Sequence, residues 1–250
     1  MPERDGYTAG TPSWVDVSTP DLDAAKEFYA ALFGWTYTPG EEKYGYYVNA
    51  LLRDRIVAGL GPAQPDAPPM WGSYLHTEDA EGAVARARSA GGTIVVEPMT
   101  VGSFGTMAIA LDPAGALIGF WQPDEHHGAG LVNEHGTLVW NELRTTAVDA
   151  AKSFYGSIFD YDYSEVRGAP EYPVFELAGQ QVASAEPVHR AEERPHWLVY
   201  FGTSDVDATV AAARELGGAV VEEITETAYG RMAVLADPWG AVFAVLHLGE

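Results

Sequence analysis

Two acidic residues occupy matched places in otherwise β-rich stretches: Asp16 in WVDVST (Trp14–Thr19) and Glu142 in WNELRT (Trp140–Thr145). Each stands two residues after a tryptophan and so, in an extended strand, on the tryptophan's face. A carboxylate facing a cavity from a strand suits general acid–base work when burial raises its pKa. Its plainer role is to accept hydrogen bonds from backbone or tyrosine hydroxyls nearby. His76, His196 and His247 are further candidates on strand-like segments, whereas His126, His127 and His135 fall in the Gly-, His- and acid-rich QPDEHHGAGLVNEHG and are expected to be solvated. The chain has no cysteine, which removes thiolate nucleophiles, thiolate metal sites and disulfides. It carries no phosphate-binding loop, dinucleotide fingerprint or G-x-S-x-G elbow.

The stretches holding these residues are written twice. WVDVSTPDLDAAKEFYAALFGW (Trp14–Trp35) recurs 126 residues later as WNELRTTAVDAAKSFYGSIFDY, and GTMAIALDPAGALIGF (Gly105–Phe120) recurs at a shift of 125 as GRMAVLADPWGAVFAV (Gly230–Val245). The chain is a tandem duplication. Within the first copy, Trp14, Asp16 and Ser18 alternate with Val15 and Val17 as a strand. Asp21 or Asp23 can cap a helix whose apolar face is Ala25, Phe28, Tyr29, Leu32 and Phe33, and Gly34 suits its left-handed end. Strand-like GWTYTPG, YGYYVNALL and RIVAGLG follow. After the Pro-rich GPAQPDAPPM the order restarts as strand, helix and three strands, with a tight turn at Asp112-Pro113-Ala114-Gly115. Each half therefore holds two strand–helix–three-strand units. The expected organisation is a first domain over 1–124 (units about 10–61 and 70–123), a linker over 125–133, and a second domain over 134–250 (units about 136–186 and 195–248).

Four such units, with DLDAAKEFYAALFGW after a first strand and DPAGALIGF before a last one, resemble the vicinal oxygen chelate superfamily. It includes glyoxalase I, the extradiol dioxygenases and the bleomycin and fosfomycin resistance proteins. With GTPSWVDVSTPD at its start, the doubled form is similar to two-domain actinobacterial proteins of the secreted-antigen type. The resemblance implies an α+β fold in which the four βαβββ units form two incomplete eight-stranded barrels, each a cup with one ligand site. Metal-using relatives carry His, Gln or Glu on the first and last strands of the units. Those positions fall here on Trp14, Trp140, Gly72, Leu198, Gly119 and Ala244, none of which binds a metal, so no metal cofactor is expected. The alternative is a divalent metal in the second domain, held by Glu142, His196 and His247; Asp16, His76 and Gln122 make a weaker set in the first.

Composition sets the remaining bounds. A formal charge of −22 opposes nucleic-acid binding. The absence of an 18-residue apolar run or an apolar leader leads to the expectation of a soluble, cytoplasmic protein that does not enter membranes. Monomer and homodimer both remain open. Aromatic residues make up 12% of the chain and cluster on strand segments, as a cup for a flat ligand would require. The expected function is metal-independent binding of an aromatic or cationic metabolite or antibiotic. Trp14, His76, Trp121, Trp140, His196, Tyr200, Tyr229 and His247 are the candidate contacts. The alternative is an enzyme of secondary metabolism (a cyclase, isomerase, lyase or hydroxylase-like protein) with Asp16 and Glu142 as acid and base, or with the divergent metal site.

Overall fold

The computed structural model describes residues 3–166 and 169–247. Strand β1 (Pro12–Thr19) leads into helix α1 (Leu22–Phe33), followed by β2 (Thr36–Tyr37), β3 (Val48–Leu52) and β4 (Arg55–Pro62). The order repeats as β5 (Met70–His76), α2 (Ala80–Ser89), β6 (Thr93–Val101), β7 (Gly105–Leu111) and β8 (Leu117–Pro123). The second half gives β9 (Leu138–Thr145), α3 (Val148–Ile158), β10 (Asp162–Val166), β11 (Ala169–Leu177) and β12 (Gln180–Pro187). It ends with β13 (His196–Thr203), α4 (Val206–Glu215), β14 (Ala219–Thr227), β15 (Gly230–Ala236) and β16 (Val242–His247).

Each half makes one eight-stranded sheet, in the orders β2-β3-β4-β1-β5-β8-β7-β6 and β10-β11-β12-β9-β13-β16-β15-β14. The first strands of the two units meet antiparallel at the middle, and each is flanked by its own unit's last strand running parallel. The end strands do not pair with each other, so both sheets are open cups. This is the α+β architecture expected.

Local chemistry explains the frame. The Asp21 side chain, not that of Asp23, caps α1 by accepting from the Ala24 N–H at 3.1 Å; Asp23 instead pairs with Lys26 at 2.6 Å. Gly34 closes the helix at φ 72°. Tyr44, Tyr46 and Tyr47, expected on strands, lie in a single 3₁₀ turn (Glu42–Tyr44) and the loop before β3. The Gly-rich segment after β8 docks rather than hanging in water. Ala129, Leu131 and Val132 are buried, and the Asp124 and His126 N–H groups donate to the Phe104 carbonyl.

The main apolar core lies between the halves. Tyr29 on α1 accepts from Trp71 Nε1 at 3.0 Å and donates to Asp237 Oδ2 at 2.9 Å, in the other half. Tyr155 on α3 repeats this with Trp197 at 2.9 Å and Asp112 Oδ2 at 3.2 Å. Asp112 Oδ1 meanwhile holds its own turn, accepting from the Ala114 and Ala116 N–H groups at 2.9 Å each. The repeated Phe-Tyr of the helices and the repeated Asp-Pro of the turns are thus two sides of one doubled contact. Around it, Phe28 and Phe33 of α1 pack edge-on and tilted against Phe243 and Phe201.

Candidate functional site

The second cup holds a cavity of about 760 Å³. Its floor is the inward face of β9, where alternation brings Trp140, Glu142 and Arg144 to one side. Val139, Met232, Val234 and Leu246 supply apolar wall, Tyr172 and Tyr200 stand beside Glu142, and the exposed ring of Tyr229 sits at the mouth. Glu186, His189, Glu222 and Glu223 line the polar end.

Glu142 is buried and saturated with donors. Tyr200 donates to Oε1 at 2.8 Å, Tyr172 to Oε2 at 2.7 Å, and Arg144 Nε to Oε1 at 3.2 Å. Trp140 Nε1 donates to Ser184 Oγ at 2.8 Å, and Ser184 donates to the Tyr172 oxygen at 2.9 Å, which fixes that ring. Burial and the Glu142 charge push both tyrosine hydroxyls up, so they remain donors. Arg144 is 2% exposed and meets four carboxyl groups: Glu142, Glu186 at 3.3 Å, Glu193 at 3.6 Å, and Glu222 through both terminal nitrogens. Burial pushes the guanidinium down, but Glu222 first, then Glu142 and Tyr200, hold it well above its ordinary value. His189 bridges the rim, with Nε2 2.8 Å from Glu186 and Nδ1 3.0 Å from Glu222. Burial, followed by the negative charge of Glu142, pushes Glu186 up to about 8. Burial pushes Glu222 up too, but Arg144 and His189 outweigh it and hold this carboxyl below its ordinary value.

In the first cup tyrosine side chains lie over glycines of the flanking strands. A Cβ added at Gly59 would lie 1.8 Å from the Tyr47 hydroxyl, and one at Gly119 would lie 2.1 Å from the Tyr74 ring. Both tyrosines therefore occupy space that only glycine leaves free. The matching positions in the second half are Ser184 and Ala244, paired across the sheet with Glu142 and Tyr200. Trp121 stands where the second cup has Leu246, and the His126 ring fits between Trp121 and the edge of Trp14, centroids 5.5 and 4.4 Å away. His126 is thus packed rather than solvated, and burial lowers its pKa to about 4. Asp16 keeps a partly exposed surface, but its carboxyl is enclosed; burial pushes it up to about 6 against the hydrogen bonds from Tyr47, at 3.1 Å, and Tyr74.

Of the residues singled out in the sequence, Trp140, Glu142, Tyr200 and Tyr229 come together on the second cavity. Trp14, Asp16 and Trp121 lie in the first half, on β1 and β8. His76 is buried at the end of β5 with Nδ1 unpartnered, and burial lowers its pKa. His196 and His247 are not brought to the cavity: their Nδ1 atoms face the backbone carbonyls of Arg194 at 2.9 Å and Thr203 at 3.2 Å. The alternative metal set Glu142–His196–His247 is therefore not assembled, and both Glu142 oxygens are engaged by Tyr172, Tyr200 and Arg144 instead. Among the described residues no group of three or more His, Asp or Glu side chains is placed to hold an ion. Arg144, Glu186, His189 and Glu222 escaped the sequence reading. The available signal was asymmetry between the repeats, since the first half has Ser18, Gly61, Gln64 and Val96 at those places.

Residues 11–120 match the family model of the Glyoxalase/Bleomycin resistance protein/Dioxygenase superfamily, and residues 140–246 match that of a glyoxalase-like domain. The chain is 40% identical over 255 residues to CFP32 of Mycobacterium tuberculosis, named a glyoxylase, with 98% of each chain covered. It is 36% identical over 263 residues to the anthracycline biosynthesis protein DnrV of Streptomyces peucetius, covering 98% of this chain and 95% of DnrV. Among solved structures, the Mn(II)-bound glyoxalase of Novosphingobium aromaticivorans matches with a TM-score of 0.67 at 15% identity, covering 99% of this chain and 83% of the other. The 2,3-dioxygenase LapB of Pseudomonas sp. KL28 matches with a TM-score of 0.67 at 14% identity, covering 98% and 94%.

Proposed function

This chain belongs to the glyoxalase/bleomycin resistance protein/dioxygenase superfamily, and we propose that it binds an aromatic small molecule in its second cup without a metal. The observation that carries this reading is the cavity of about 760 Å³ in the second cup, a volume ordinary for small-ligand sites. Trp140, Tyr172 and Tyr229 offer flat faces and edges to a planar ring, and Met232 and Leu246 offer adaptable apolar contact. The carboxyl groups at the polar end disfavour anionic ligands and favour neutral or positively charged ones. Kinship with an anthracycline biosynthesis protein agrees with a polycyclic aromatic ligand. Metal independence rests on the donor set: Trp140, Leu198 and Ala244 hold places where metal-using relatives carry ligands, and both Glu142 oxygens are engaged by Tyr172, Tyr200 and Arg144.

The test is tryptophan-fluorescence titration with 1,8-dihydroxyanthraquinone, a flat tricyclic probe, with and without EDTA. Saturable quenching at one probe per chain, unchanged by the chelator and abolished in Leu246→Trp, supports the reading. Two probes per chain, or quenching that EDTA removes, overturns it.

A further inference from the structure

The segment after β8 is tied down in two places. In the first, the Asp124 and His126 N–H groups donate to the Phe104 carbonyl at 2.9 and 3.0 Å, and the Glu125 N–H donates to the Ser103 carbonyl at 3.1 Å. Trp121 Nε1 donates to the His126 carbonyl at 2.7 Å. In the second, the Ala129 and Gly130 N–H groups donate to the Ser13 and Ile56 carbonyls at 2.8 Å each, and Tyr7 donates to the Ala129 carbonyl. Gly128 stands between the two ties at φ 102°, where a Cβ would lie 2.4 Å from the Ser13 carbonyl oxygen, so only glycine makes this passage. The first tie turns on one ring. The His126 imidazole sits against Trp14 of β1 and Trp121 of β8, and its Nε2 is buried without a hydrogen-bond partner. A protonated imidazole carries N–H on both nitrogens, and the one on Nε2 finds no acceptor there. The titratable groups around the ring do not supply one. His127 beside it opposes a second positive charge, Glu125 is held by Ser103 Oγ at 2.5 Å, and Asp124 is exposed. Asp16 on β1 accepts from Tyr47, and His76 at the end of β5 is itself kept neutral by burial.

We propose that residues 124–127 are a strap across β1 and β8 of the first cup, pinned by the neutral His126 ring, released on acidification and hinged at Gly128. Protonation expels the imidazole from the two indoles, the segment lets go of the turn between β6 and β7, and Trp14 and Trp121 meet water. Ala129 and Gly130 stay docked, because the one titratable group in their tie is Tyr7, whose hydroxyl burial pushes up and keeps as a donor. The second cup is untouched, so the device is independent of ligand binding there. His126 takes up its proton at about 4 in the docked strap and at 6.5 when solvated. The docked value is the lower one, so docking is at full strength above pH 6.5 and weakens as pH falls toward 4.

Residue-resolved amide hydrogen exchange by NMR on the full chain reads the two ties separately. From pH 7.5 to pH 5 the protection of the Glu125 and His126 N–H groups, corrected for the intrinsic rate, should fall on the order of 20-fold, while that of Ala129 and Gly130 stays level. His126→Phe keeps a flat ring against the tryptophans and has nothing to titrate, so its protection should be the same at both values. Imidazole carbon shifts of the unmodified protein should show His126 still mostly neutral at pH 5. No fall in the parent, or an equal fall in His126→Phe, overturns the proposal. Loss of protection at Ala129, Gly130 and the β1 amides together is unfolding rather than release and also overturns it. An imidazole that charges near pH 6.5 with the strap still protected shows that the indoles hold the cation, and it overturns the pin whether or not the variant folds.

Discussion

Replacing Glu186 by Gln keeps the shape of the side chain but removes the titration. A carboxyl that titrates at 4.5 when solvated and at about 8 in the fold makes folding depend on pH. The folded-state value is the higher one, so this group's contribution is fully present below pH 4.5 and is lost as pH rises through 8. At about 1.36 kcal/mol per tenfold change in proton affinity, the loss is on the order of 3–5 kcal/mol. Glu186 is 18% exposed, so solvent screening reduces this only modestly. Urea unfolding of both proteins between pH 5 and pH 9 reads the difference. Groups remote from this cluster titrate alike in the two proteins and cancel, whereas Glu142 and Glu222 respond to the loss of the Glu186 charge. The expected result is a stability gap that turns in favour of Glu186→Gln by several kcal/mol between those limits, most of the change falling below pH 8. Parallel stability curves would refute the upward shift of Glu186.

Arg144→Met should cost about 3–5 kcal/mol at pH 8, because four carboxyl groups lose their shared cation; the loss should shrink at pH 5, where they can take up protons, and urea melts at both values check it. Tyr29→Phe or Tyr155→Phe leaves a buried tryptophan N–H and an aspartate oxygen without a partner and should cost about 1–3 kcal/mol each. Because each tyrosine bonds across the halves, calorimetry should show a single transition shifted downward rather than one half melting alone. Gly119→Ala should displace Tyr74 and destabilise by about 1–3 kcal/mol, read by denaturant melts, while leaving probe binding in the second cup unchanged.

The architecture was legible because its signals are local. The alternation of Trp14, Asp16 and Ser18, the glycine at 34 and the Asp-Pro turns each point to one conformation, and their repetition 125–126 residues later multiplies the signal. The partners of the repeated tyrosines were hidden, since a helical face announces that it is buried and not which half covers it. Glu142 was visible as the inward acid of β9. Glu186 and Glu222 read as ordinary surface charge in a chain of formal charge −22, and only the sheet brings them from β12 and β14 to Arg144. The difference between an open and a filled cup was written in Gly59, Gly61 and Gly119 against Ser184, Glu186 and Ala244. Those changes become meaningful once Tyr47 and Tyr74 are seen lying over the glycines.

A crystal structure of the protein with 1,8-dihydroxyanthraquinone bound tests the central claim most directly. The expected result is a ring system between Trp140, Tyr229 and Met232, with the first cup still occupied by Tyr47, Tyr74 and His126. Probe bound over Asp16 with the second cup vacant, or a metal ion ligated by Glu142, would contradict it.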